Sequence, residues 1–253
     1  MKKLLIPKNL PILAAGLGAV GLVLRWLLYA VTVDEKNLLP VSHPLKILLW
    51  LVTAGAVVLI VGTVWKLDGS NRYADNFFPS MTAAVGHFVA AAGILLTVLL
   101  NKPATYGAIT TAWKVLGILS APALVLAGMS RMQGKRPMFL THLVVCVFLM
   151  FHILGNCQSW SGNPQLQDYV FSLFGCVFLM LFAYYEAAFD VGSGKRRMQL
   201  AVGLLNVFVS CVALSGTAYP MLYFSGAVWA FTDLCTLKPA PAHRRQRPAP
   251  ESE

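Results

Sequence analysis

Residues 81–100, MTAAVGHFVAAAGILLTVLL, form a run of twenty in which His87 is the only ionisable side chain. At 1.5 Å rise per residue a helix of that length measures ~30 Å, the thickness of a bilayer's hydrocarbon core. Within the run Ala83, Gly86, Ala90 and Gly93 recur at spacings of three and four. Such a small-residue stripe lets a neighbouring backbone come close, the packing device of membrane helices. His87 borders the stripe, and an imidazole in hydrocarbon is costly unless it is hydrogen-bonded.

Comparable runs lie on both sides of this one. They cover Leu10 to Val31, Leu45 to Val64, Ala108 to Met129, Met138 to Gly155, Tyr169 to Ala188, Leu200 to Ala218 and, shorter, Met221 to Thr232. The 253 residues are 57% hydrophobic and 12% charged, about half the ~25% charge of a soluble domain. The predicted fold class is therefore all-α, a polytopic helical membrane protein with eight transmembrane helices and no room for a folded aqueous domain. Residues 1–236 form that single domain. Residues 237–253 are Pro-rich, basic and without a large apolar residue beyond Leu237, the composition of a disordered tail.

Basic residues set the expected orientation. With the N-terminus in the cytoplasm and eight spans, the inner segments collect fifteen: Lys2, Lys3, Lys8, Lys66, Arg72, Arg131, Lys135, Arg136, Lys195, Arg196, Arg197, Lys238, Arg244, Arg245 and Arg247. The outer segments hold Lys36, Lys46 and Lys102. This asymmetry follows the positive-inside rule and places both termini in the cytoplasm of a cell whose plasma (inner) membrane the chain crosses. The N-terminal apolar run is longer than the ~7–15 residues of a cleavable signal and reads as a retained anchor. The basic loops predict contact with anionic inner-leaflet lipids, so the high net charge of +10 implies no nucleic-acid partner.

Ionisable residues inside spans are the first candidates for function in a membrane protein. They fall into two shells. An outer polar shell comprises Arg25, Lys114, His152 and Asp168; beside the first two stand Trp26, Tyr29, Tyr106 and Trp113, an interfacial aromatic belt that predicts outward snorkelling. An inner shell comprises His87, His142, Glu186 and Asp233, with Asp190 at the boundary. The expected pairing in the inner shell joins Glu186 or Asp233 to His87 or His142. The midplane carries no ionisable group, which argues against a carrier that couples ions there. Pro122 removes a backbone donor in mid-span, frees the Ile118 carbonyl, and is the candidate hinge.

Small residues also mark the first span (Ala14, Gly18, Gly21) and the second (Ala54, Gly55, Gly62). The expectation is a core made of the first three spans, with the Phe- and Leu-rich fifth and sixth facing lipid. CVFLM occurs at 146–150 and 176–180, and Asp-Gly-Ser-type turns at 68–72 and 190–196; these echoes are compatible with two four-span halves and also with a restricted apolar alphabet.

The five cysteines include no C-x-x-C pair, and His142 and His152, ten apart, sit ~15 Å apart along one helix. Neither a metal nor a cofactor is expected from spacing. No H-E-x-x-H, G-x-S-x-G or Walker-type motif occurs, so no catalytic residue is assigned and an enzyme is disfavoured. The function expected is a permease or permease subunit for a small solute or lipid. The alternatives are an accessory or scaffold protein with a membrane-protein partner, and a membrane-embedded enzyme acting on lipid head groups through the outer shell.

Overall fold

The computed structural model describes residues 9–32, 43–65, 67, 72–101, 108–160 and 169–238. Among them the chain forms nine helices and no strand: α1 (Leu10–Thr32), α2 (Pro44–Val64), α3 (Tyr73–Asn76), α4 (Met81–Leu100), α5 (Ala108–Met132), α6 (Phe139–Trp160), α7 (Val170–Val191), α8 (Arg196–Ala213) and α9 (Pro220–Cys235). Seven of these are long and apolar enough to cross a membrane. The chain is an integral, multi-pass membrane protein. The last helix, α9, has sixteen residues, ~24 Å at the helical rise.

Local chemistry sets the boundaries. Ser80 caps α4 by accepting from Ala83 N at 3.3 Å. His43 does the same for α2 through Nδ1, with Pro44 at the first helical position. Gly192 ends α7 at φ +91°, and Gly216 turns α8 into α9 at φ +75°, a backbone conformation that glycine adopts without strain. In the second turn there is no space for a Cβ beside the Tyr29 ring.

The connections α5–α6 and α7–α8 lie at one end of the bundle and carry Arg131, Lys135, Arg136, Lys195, Arg196 and Arg197. This is the basic end. Short bonds close it: Arg197 Nε donates to Leu67 O at 2.6 Å, Ser80 N to Arg131 O at 3.3 Å, and Lys238 N to Asn76 O at 2.8 Å. Leu237 and Lys238 thus belong to the packed body, Leu237 being buried; the rest of the expected tail, residues 239–253, lies outside the described ones.

Packing departs from the expected core. The small stripe of α4 faces α9, not α1 or α2: a Cβ on Gly86 would strike Thr232, and one on Gly93 would strike Ser225. Gly18 and Gly21 of α1 face Cys211, Phe208 and Val212 of α8. Gly55 and Gly62 of α2 meet nothing within 4 Å. The most interior of the span-length helices is α8, 78% buried over its central window against 22% for α2. The reason is polarity: α8 carries Gln199, Asn206 and Ser210, all fully buried, and hydrocarbon offers such groups no partners. Asn206 instead donates to Gly226 O at 3.1 Å and accepts from Ser210 Oγ at 3.0 Å. Helices α6 and α7, expected to face lipid, are each more buried than α1 or α2.

The packing is not that of two equivalent halves. Helix α1 packs along α8, yet among the described residues α6 makes no comparable packing with α4, which a two-fold relation between the halves requires. The echo at 68–72 lies almost wholly outside the described residues.

Candidate functional site

Six ionisable side chains from five helices meet at the basic end: His87 on α4, Arg131 on α5, His142 on α6, Glu186 and Asp190 on α7, and Asp233 on α9. All are buried, His87, His142 and Asp233 completely. Each is placed by its own helix's interior face. On α7, Leu179, Phe182, Ala183, Glu186, Ala187 and Asp190 are buried at spacings of three and four, which aims both carboxylates the same way. On α9, Trp229 and Asp233 stand one turn apart on the buried side.

Two chains of contact run through the cluster. In the first, Asp190 Oδ2 lies 2.6 Å from His142 Nδ1, His142 Nε2 lies 3.4 Å from His87 Nε2, and His87 Nδ1 lies 2.9 Å from Ala83 O. A carbonyl only accepts, so Nδ1 of His87 carries that ring's proton and Nε2 is an acceptor. The Trp229 indole N–H donates to this Nε2 at 3.2 Å, and the indole stacks on His142 at 6.0 Å between centroids and 11° between planes.

In the second chain Arg131 Nη2 donates to Asp233 Oδ1, and Arg131 Nη1 to the Tyr73 hydroxyl at 3.5 Å. Its guanidinium lies over the Phe77 ring, 3.8 Å from the centroid. Burial raises the Tyr73 hydroxyl pKa above its ordinary value, with Arg131 opposing that shift, so Tyr73 meets the guanidinium as a neutral group. Gln199 Nε2 donates to Glu186 Oε1, and Glu186 is in turn in side-chain contact with Asp233. No donor faces Asp233 Oδ2, so that contact becomes a hydrogen bond only when one proton sits between the two carboxyls.

Charge is unbalanced in this cluster. Three carboxylates against one guanidinium leave two negative charges when both imidazoles are neutral. Arg196, at the same end, turns its Nη1 and Nη2 to Asn76 Oδ1 at 3.0 Å and to the Lys238 carbonyl. Unpaired charge is expensive in a low-dielectric interior.

The sequence therefore located the inner shell but mispaired it. Asp233 joins Arg131, and the carboxylate on His142 is Asp190, read as a boundary residue. Arg131, read as a loop charge, and Trp229 and Gln199 were missed. A usable signal existed: Glu186 and Asp190 are four apart, as are Trp229 and Asp233, and in a helix such pairs share a face.

The outer shell does not converge. Arg25 is 2% exposed rather than snorkelling; Nη1 donates to Val212 O at 3.2 Å, and the guanidinium lies 5.1 Å from the Phe171 ring centroid. His152 is held by Trp113 Nε1, which donates to Nδ1 at 2.9 Å, by the Asn156 amide at 2.9 Å from Nε2, and by the edge of Tyr219. Trp113 is thus a buried partner, not a belt residue. Lys114 points out of the bundle, away from both, and Asp168 lies outside the described residues. Helix α5 continues through Pro122, which is exposed on the flank that also carries Ile118, so the freed carbonyl lies on the outside of the bundle.

No protein-family model, curated protein or solved structure matches the chain.

Proposed function

We propose that the chain crosses the membrane eight times with both termini in the cytoplasm, and that it acts as a permease or permease subunit that takes up protons or a small cation through the buried cluster at its cytoplasmic end. The observation that carries this reading is the convergence of six ionisable side chains from five helices, with two negative charges to be balanced. Each such group costs ~3 kcal/mol or more within a membrane, and histidine–carboxylate chains of this kind mark proton relays and ion paths. Helix α9 is short for a span, but it packs against α4 and α8, so protein rather than lipid surrounds much of it. Leu237 and Lys238 follow it directly onto the basic end, which supports a cytoplasmic C-terminus.

The test is reconstitution of the whole chain into vesicles containing a pH-sensitive dye, with a potassium diffusion potential as driving force. Proton flux above that of empty vesicles, lost in Glu186→Gln and kept in Trp113→Phe, supports the reading. Wild-type flux equal to that of empty vesicles overturns it. The accessory reading has one observation in its favour: α2 exposes Leu48, Leu51, Val58 and Leu59 on a helix that, among the described residues, packs mainly on α1 and α8, an apolar flank open to lipid or to a partner helix. The head-group enzyme loses its support, because Arg25, Lys114 and His152 share no site.

A further inference from the structure

We infer that His87, His142 and Glu186 form a binding site for a divalent first-row transition cation, with zinc as its representative. The inference rests on the reading of the cluster as the protein's working site and names the cation that the site takes.

Three observations carry it. The first is ligand geometry. One donor atom from each of the three residues lies within 4.8 Å of the other two, and the two imidazole Nε2 atoms face each other at 3.4 Å. Two nitrogens bound to one tetrahedral zinc at its usual bond length are ~3.3 Å apart. The imidazoles therefore already stand at the separation that a shared ion imposes.

The second is support behind the ligands. A metal-bound histidine typically turns its other nitrogen to a carboxylate or a backbone carbonyl, which fixes the ring and raises its basicity. Both forms are present here: Nδ1 of His142 is on Asp190, and Nδ1 of His87 is on the Ala83 carbonyl. Gln199 holds Glu186 from behind through Oε1. Each ligand is thus oriented by a group that is not itself a ligand.

The third is the donor set. Two imidazoles and one carboxylate select zinc, cobalt, manganese or iron over calcium and magnesium, which prefer oxygen ligands throughout.

The experiment uses the full chain in detergent micelles and Co²⁺ as the probe, because a low-symmetry cobalt site absorbs visible light and Zn²⁺ bleaches it by competition. The expected result is one Co²⁺ per chain. His142→Gln and Glu186→Gln should each weaken binding more than tenfold. Asp190→Asn, which leaves all three ligands in place, should weaken it by ~10–100-fold at unchanged stoichiometry. His43→Gln and His152→Gln should leave it unchanged. No visible absorption at millimolar Co²⁺, or binding that is indifferent to both His142→Gln and Asp190→Asn, overturns the inference. Should His142→Gln fail to fold, Glu186→Gln and Asp190→Asn decide alone. The two readings fail separately: proton flux without cobalt binding removes the metal site and leaves the relay, whereas cobalt binding without flux keeps the site and removes the permease.

Discussion

At the basic end of the bundle, three carboxylates, two imidazoles and a guanidinium from five helices are drawn into one set of contacts. At the opposite end Arg25 and His152 are buried just as deeply but stand apart from that cluster: Arg25 meets the Val212 carbonyl and the Phe171 ring, and His152 meets the Trp113 indole and the Asn156 amide. The difference separates two ways of tolerating a polar side chain inside a membrane protein. A single group can be satisfied by neutral neighbours, and nothing about it then needs to change. A pooled cluster with unequal charge is satisfied only by something exchangeable, a proton or a cation. Burial by itself therefore does not mark a working site; unbalanced burial does.

The sharpest way to break this comparison is to remove one ionisable group from each end. Arg131→Met leaves Asp233 without its partner and should destabilise the chain by ~3–5 kcal/mol, read by SDS titration in mixed micelles. His152→Phe forfeits its bonds to the Trp113 indole and the Asn156 amide and should cost ~1–2 kcal/mol. Equal losses would mean that the two ends do not differ.

Next in size is packing. Gly93→Leu, which drives a side chain into Ser225 on α9, should cost ~1–3 kcal/mol in the same titration. Gly62→Leu on α2, where a side chain enters open space, should be close to neutral. A large cost at Gly62 would place a partner or a lipid tightly against that flank.

Smaller still is Trp113→Phe, which strips the donor from His152 Nδ1 and should cost ~1 kcal/mol. Proton flux in vesicles should not change, because His152 stands apart from the cluster at the basic end. A fall in flux would extend the working site through the whole bundle. The smallest effect has the opposite sign: Gly55→Ala, in a helix interior with space around it, should stabilise by up to ~1 kcal/mol through helix propensity.

The sequence by itself determined the class. Apolar runs of about twenty residues between basic loops leave no soluble alternative, because an unpaired backbone cannot lie in hydrocarbon and a helix pairs its own. It also located His87, His142, Glu186 and Asp233 at one depth, since position along a helix converts directly into height. What it could not determine was azimuth, meaning which side of each helix faces which neighbour. Small residues on α2 looked like packing surface and face open space, while the polar residues of α8 mark the true interior.

Only the tertiary structure decided the partners. His87 and His142 are 55 residues apart in the chain and Arg131 and Asp233 are 102 apart, and no spacing rule connects side chains on helices whose neighbours are unknown. That is why spacing gives no hint of the proposed metal site: ligand-spacing rules detect donors supplied by one segment, whereas in the proposed site each of three helices supplies a single donor. Height along the bundle is local and can be read from the chain. Adjacency depends on how several nearly equivalent cylinders share a small number of polar atoms, and only their joint packing resolves it.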